Sequence, residues 1–403
     1  MSAFHDPRRE VEKLRSHLAV HDKPIGFLIG AGGSSAVTDT AGEVLVPAVA
    51  ALTVRCRQAV EALGDPFPVV YSTIESEFGA ANPPNVEDVL SSVRGKIAAM
   101  SASDKLAGGA DRSALEKVEE TLRRTIASAA LPAEERIPDK LPHHALGRWI
   151  GRIPRSFPVE IFTTNYDTLL ERGLEDHRVP VFDGFVGSRQ PFFATGSLVR
   201  EDVAPGRGWA RIWKIHGSVN WSRQTLRDGT TRVVRGGETA SGELILPSFH
   251  KYDESRKQPY VAMLDRLGRF LTAREDTVLF ALGYSFGDQH VNAVLFEALD
   301  LQPRVHVVAL QFDDAPLDGD LAQRAQQQQN LVVYGPTRAI VGGVAGEWRL
   351  LEPVDDATAG LMDVPFDSDG KPDPNEAPVT GRFRLGDFNY FAAFLDEIAG
   401  TDR

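Results

Sequence analysis

Five short apolar runs dominate this chain, and each carries or leads into a turn of glycine or small polar residues. The strings are LIGAGGSS (residues 28–35), TTNYD (163–167), KIHGS (214–218), LGYSFGDQH (282–290) and VHVVALQ (305–311). Runs this short, β-branched or mostly apolar, read as buried strands. Strands are expected at 25–29, 159–163, 211–215, 277–282, 305–310 and 331–334. Helical patterns at 167–174, 260–272 and 292–299 separate most of them. Alternation of this kind predicts an α/β fold, with a Rossmann-like, mostly parallel sheet and helices on both faces. In such sheets a ligand sits beyond the carboxyl ends of the strands, where these glycine and polar turns fall.

The rest of the chain divides by pattern. Residues 10–20 and 48–62 read as helices. Between about 63 and 147 the strand pattern disappears. Val86, Val89 and Leu90 share a helical face, and Leu115, Val118, Leu122 and Ile126 form an amphipathic stripe. This stretch is expected to be a helical insertion lying over the pocket of a nucleotide-binding domain at 1–335. A C-terminal extension, 336–403, begins acidic and rich in Pro and Gly. It ends with Phe388, Phe391, Leu395 and Ile398 at helical spacing, expected to dock on the core or on a neighbouring subunit.

Charge and cysteine usage exclude several classes. A net charge of −12 argues against direct nucleic-acid binding, which needs clustered Lys and Arg. The single cysteine, Cys56, rules out an internal disulfide framework and a four-cysteine zinc site. The amino terminus is charged and lacks an apolar signal core, and the longest mostly apolar run, 44–54, is short and holds Pro47. A cytoplasmic protein without a membrane span is expected. No GxxxxGK[ST], HExxH or paired CxxC occurs.

The strand-end strings carry the candidate chemistry. Gly30, Gly32 and Gly33 can take positive φ and bring backbone amides close to a diphosphate; the alternative is a tight strand–helix turn. Thr163, Asn165 and Asp167 would project on one side of a strand end. Asn165 has amide donors and a carbonyl acceptor for a ribose or a water, and Asp167 is an acceptor for a ribose hydroxyl or an orienter of a histidine. The competing reading is that Asp167 caps the next helix and Asn165 makes a turn. His216 ends a strand and is suited to proton transfer near neutral pH, while Gly217 permits close approach of a ligand. His143, His144, His177, His250 and His306 read as core or surface histidines. In GYSFGD, Gly283 allows close approach, Ser285 can bond a phosphate oxygen and Asp288 can accept from an adenosine ribose; the plainer reading makes Asp288 a helix N-cap. GYSFG also matches a GxSxG nucleophile elbow, with Ser285 as nucleophile, although the histidines that follow are poorly placed for a hydrolase triad.

Taken together, GAG-x-S, TTNYD, KIHGS and GYSFGD resemble the sirtuin-like superfamily in its bacterial defence branch. NVEDVLS (85–91), FDGFVG (182–187) and ILPSFHKY (245–252) are similar to the subunit that operates beside a HerA-type ATPase in anti-phage systems. The resemblance implies an NAD+ glycohydrolase, a hydrolase rather than a deacetylase. It implies Asn165 and His216 as the residues of cleavage, and Gly30, Ala31, Gly32, Ser34, Gly283 and Ser285 as contacts to the dinucleotide. It further implies a ring-like homo-oligomer and a HerA-type ATPase/helicase partner. The four-cysteine zinc module of deacetylase sirtuins is absent, and the long segment between Asn165 and His216 departs from them. ADP-ribosyl transfer, deacylation and a non-hydrolytic NAD- or ADP-ribose-sensing scaffold are the competing functions.

Overall fold

The computed structural model describes residues 3–79, 83–101, 104–105, 110–152, 154–200, 202–239, 243–244, 259–274, 276–351, 362–370 and 378–400. The ILPSFHKY string, His250 and most of the acidic tail lie outside them.

The chain enters through β1 (Phe4–His5) and α1 (Pro7–Ala19), then β2 (Ile25–Ile29) and the short α2 (Ala31–Ser35). Four helices follow: α3 (Val49–Glu61), α4 (Phe67–Ser76), α5 (Val86–Ala99) and α6 (Arg112–Ala129). α7 (His143–Arg152) returns the chain to β3 (Glu160–Thr163) and α8 (Leu169–Glu175). Next come β4 (Val181–Phe182), β5 (Phe185–Val186), β6 (Phe192–Phe193), α9 (Gly196–Val199) and β7 (Ala210–Lys214). β8 (Gly217–Ser218), β9 (Trp221–Thr225), β10 (Thr231–Arg235) and β11 (Glu243–Leu244) are peripheral. The second half runs α10 (Tyr260–Thr272), β12 (Val278–Leu282), α11 (Gln289–Leu301), β13 (His306–Leu310), α12 (Asp320–Gln327) and β14 (Leu331–Tyr334). It closes with β15 (Arg338–Val341), β16 (Val344–Trp348), β17 (Phe366–Ser368), β18 (Gly381–Phe383) and α13 (Phe388–Ala399).

The main sheet has ten strands in the order β1-β16-β15-β14-β13-β12-β2-β3-β7-β4. From β14 to β4 every neighbouring pair is parallel. The mostly parallel α/β sheet expected from the sequence is therefore present. β2 and β12 are buried at every position and are accordingly apolar on both faces, whereas the equally buried β7 carries Arg211 and Lys214. Phe27 and Phe280 point to one face, where Trp149 of α7 and Phe391 of α13 meet Phe27 with ring centroids 5.6 and 6.1 Å away. Leu28, Phe162, Leu279 and Ala281 point to the other, under Met263 of α10 and Leu295 of α11. The sheet is thus covered on both sides, and α13 is part of its cover.

β2 is the pivot. On one side of it lie β3, β7 and β4; on the other lie β12, β13 and β14. The carboxyl ends of β2 and β12 therefore bound a topological switch point, the usual position of a ligand crevice.

Helices α3 to α6 form a separate core, with Leu115, Val118, Leu122 and Ile126 packed on Val86, Val89 and Leu90 as their spacing requires. Tyr166, from the turn after β3, packs against this cluster and seats the bundle at the carboxyl edge of the sheet.

Several boundaries differ from expectation for identifiable reasons. α1 begins at Pro7, because Asp6 caps it and proline is favoured in the first turn. α8 begins at Leu169, because Asp167 stands outside the helix and accepts from Leu169 N at 3.1 Å. α11 is longer than its apolar spacing indicates, because Asp288 caps it at the amino end. The hairpin β15–β16 continues the main sheet beyond residue 335. Its two-residue turn is Gly342-Gly343, with φ of 58° and 81°, a type I′ pattern that the sequence displays.

Candidate functional site at the carboxyl edge

Four turns meet beyond the ends of β12, β2, β3 and β7. The first two are locked backbone to backbone. Gly30 N donates to Leu282 O at 3.0 Å and Gly32 N to Gly283 O at 2.9 Å. A Cβ on Gly32 would lie 2.5 Å from Gly283 Cα, and one on Gly30 would lie 2.5 Å from Gly283 O. Gly30, Gly32 and Gly33 do not use the positive φ open to glycine: none of them is among the left-handed glycines, whereas Gly283 is, at 57°. The requirement for glycine in this turn is space beside Gly283 rather than backbone handedness.

The β3 turn supplies a buried polar chain. Thr163 Oγ1 donates to Ile29 O at 2.7 Å and accepts from Asn165 N at 3.0 Å. Asn165 Nδ2 donates to Gly30 O at 2.9 Å and to Ser34 Oγ at 2.7 Å. Ser34 Oγ in turn donates to Asp167 Oδ2 at 2.6 Å. The amide, hydroxyl and carboxylate therefore stand in one line between the β2 and β3 turns, and Asn165 is only 7% exposed. Asp167 also accepts from Leu169 N across the turn into α8, although the residue at the helix N-cap is Thr168.

Beneath the turn lies Lys214, which sequence reasoning passed over inside KIHGS. Its ammonium donates to Asp167 O and pairs with Glu171 at 3.0 Å, fully buried. Burial pushes the Glu171 carboxyl above its ordinary range, with the lysine opposing. A lysine ending a strand of buried residues, followed by no loop of like charge, was the only available signal.

His216 is 4% exposed, and its Nε2 lies 2.9 Å from Asp288 Oδ2. The rings of Tyr166 and Tyr260 flank it at 6.3 and 6.4 Å between centroids. Both tyrosine hydroxyls are buried without a hydrogen-bond partner among the described residues. Burial raises both phenols well above their usual range. Gly217 next to the histidine has φ of 88°. Neither tyrosine was singled out in the sequence, since an aromatic at a turn or helix start gives no hint of what it faces.

The β12 turn places Ser285 at the surface, where its Oγ accepts from Gly287 N at 3.3 Å. The left-handed non-glycine residue of this turn is Phe286, at 56°, and not Ser285, unlike a strained nucleophile elbow. Asp288 was expected to accept from a ribose or to cap a helix; its Oδ1 caps α11 through His290 N (2.8 Å) and Val291 N (3.3 Å), while Oδ2 faces His216. Of the other histidines, His143 is fully buried in the core and His144 pairs with Asp176.

At the opposite, amino-terminal edge, a surface cavity of about 380 Å³ is lined by Asp22, Lys23, Pro24, Phe157, Arg274 and Asp276. There Arg274 stacks on Phe157 at 4.5 Å and Asp276 pairs with Arg304 at 2.8 Å. These are ordinary surface contacts, whereas the buried chain of Thr163, Asn165, Ser34 and Asp167 and the His216–Asp288 pair lie at the carboxyl edge. Among the described residues no group of three or more His, Cys, Asp or Glu could hold a metal ion, and no described helix is long and apolar enough to cross a membrane.

Residues 159–334 match the family model of the SIR2-like domain. The match spans β3 to β14, under half of the chain, and includes TTNYD, KIHGS and GYSFGD but not the glycine turn after β2. No curated protein matches the chain. Similar solved structures include a Sir2 homologue in complex with NAD, at 15% identity over 76% of this chain and 84% of that one, with a TM-score of 0.33. Another is described as giving the structural basis for the mechanism and regulation of Sir2 enzymes, at 12% identity over 81% and 92%, again with a TM-score of 0.33.

Proposed function

We propose that this chain is an NAD+ glycohydrolase that cleaves NAD+ to nicotinamide and ADP-ribose. The observation that carries the reading is the convergence of Asn165 and His216, both buried, on one edge of a parallel sheet at its switch point. The SIR2-like match over 159–334 supports it, as does the NAD held by the Sir2 homologue.

The glycosidic bond of NAD+ breaks readily because nicotinamide leaves neutral, taking the bonding electron pair. Positive charge then grows on the ribose. Catalysis needs a positioned sugar, a stabilised cation and a water aimed at C1′. In this reading Asn165 orients the ribose and the water, His216 accepts the water's proton, and Asp167 holds a ribose hydroxyl or steadies Asn165 through Ser34. Thr163 and Gly217 shape the site. Gly30, Ala31, Gly32, Ser34, Gly283 and Ser285 contact the dinucleotide.

Unrestrained NAD+ hydrolysis would kill a cell, so the activity is proposed to be gated. The low exposure of Asn165 and His216 and the seating of the α3–α6 bundle at this edge support gating. The resemblance adds an effector role in anti-phage defence by NAD+ depletion, a homo-oligomer and a HerA-type ATPase partner.

The test is NAD+ consumption by the purified chain, with and without such an ATPase, with nicotinamide and ADP-ribose quantified and proteins screened by mass spectrometry. Equimolar nicotinamide and ADP-ribose are expected. Asn165→Ala and His216→Ala should each lower the rate on the order of 10²-fold or more. Folded variants that keep the parent rate would remove both residues from the mechanism. Label on a protein would point to transfer, and binding without turnover to a sensing scaffold. Full activity of the isolated chain at low concentration would overturn gating.

A further inference from the structure

We infer that Asp288 is a positioning residue that fixes the tautomer of His216 and leaves Nδ1 as the nitrogen that accepts the proton. The inference rests on the NAD+ glycohydrolase reading for its chemistry and on geometry for the tautomer.

The two oxygens of Asp288 have separate tasks. Oδ1 is held by the first-turn amides of α11, from His290 at 2.8 Å and Val291 at 3.3 Å. Donors of this kind, at the positive end of a helix, favour the ionised carboxylate and fix its plane. Oδ2 is thereby aimed at His216 Nε2, 2.9 Å away, with both side chains nearly excluded from solvent, at 5% and 6% exposure. An ionised carboxylate only accepts, so Nε2 carries the hydrogen and the Nδ1 lone pair is free to act as base. The rings of Tyr166 and Tyr260 flank the imidazole and limit its rotation. Tyr284, whose hydroxyl donates to Asn292 Oδ1 at 2.9 Å, braces the same turn.

The step balances. A water oxygen forms the bond to C1′ as the C1′–N bond breaks, and nicotinamide leaves with that electron pair. The water's proton passes to Nδ1, giving an imidazolium whose Nε2–H points at the Asp288 carboxylate. Release of that proton to solvent resets the site.

Asp288→Asn separates the two tasks. The asparagine oxygen still caps α11, whereas its amide donates toward Nε2 and imposes the Nδ1–H tautomer. The full-length variant is expected to fold, to lose at least about 10²-fold in kcat and to keep KM for NAD+ within a few-fold. Long-range ¹H–¹⁵N spectra, with His216 assigned by difference against His216→Gln, should show Nε2–H in the parent and Nδ1–H in Asp288→Asn. Asp288→Ala is the structural control, expected to lose the cap as well as the orientation. An unchanged kcat in Asp288→Asn, or the same tautomer in parent and variant, would overturn the inference. If the parent consumes no NAD+, the functional reading falls, and the spectra still decide the tautomer.

Discussion

Gly32 and Gly283 touch backbone to backbone across the switch point, so that a Cβ on either would fall within about 2.6 Å of the other's backbone. Neither side of this contact can yield, because both turns are hydrogen-bonded to each other. Gly32→Ala should therefore force β2 and β12 apart at their carboxyl ends and cost about 2 kcal/mol or more, measured by denaturant unfolding. Gly206→Ala, where nothing lies within 4 Å, is the control and should stay within about 0.5 kcal/mol of the parent.

Ser34 joins Asn165 to Asp167 as acceptor from one and donor to the other. Ser34→Ala leaves a buried amide hydrogen and a carboxylate oxygen each short of a partner, which should cost about 1–3 kcal/mol. A double-mutant cycle with Asp167→Asn should show a coupling above about 0.5 kcal/mol. Strict additivity would mean that the three groups do not act as one network.

His143 sets a pH dependence of stability. Burial holds its imidazole down at about 4, against an ordinary 6.5, with the Asp167 carboxylate opposing and the His144 ring adding slightly. The unfolded chain therefore takes up this proton first as pH falls. Stability from the neutral buried ring is intact above about 6.5, declines between about 6.5 and about 4, and levels off below. The loss should approach 3 kcal/mol. His17, also held to about 4 by burial and by nearby His306, Lys23 and Lys13, acts in the same window. His143→Gln should accordingly flatten only part of the acid limb in unfolding titrations; an identical limb would refute the assignment.

Phe391 ties α13 to the sheet through Phe27 at 6.1 Å and Phe280 at 6.4 Å. Phe391→Ala opens a cavity under the helix and should cost about 3–5 kcal/mol, read as a lowered denaturation midpoint. A loss below about 1 kcal/mol would show that α13 adds little to the core.

The amino-acid order alone marked the strands of the parallel sheet, because strands buried on both faces are mostly apolar, as Ile25–Ile29 and Val278–Leu282 are at every position. It also determined the stripes of α6 and α13, since a helix that buries one face repeats its apolar residues every three or four positions. It marked Asn165, Asp167 and His216 as polar groups at strand ends. What it could not show was which of them would meet. Ser34 and Asp167 are 133 positions apart, and His216 and Asp288 are 72 apart. Local spacing carries no information about pairs so distant. The order of strands decided those contacts: β2 lies between β3 and β12, so their turns close on the same edge. The division of Asp288 between helix cap and imidazole, the burial of Lys214 beside Glu171 and the need for glycine at position 32 all follow from that convergence.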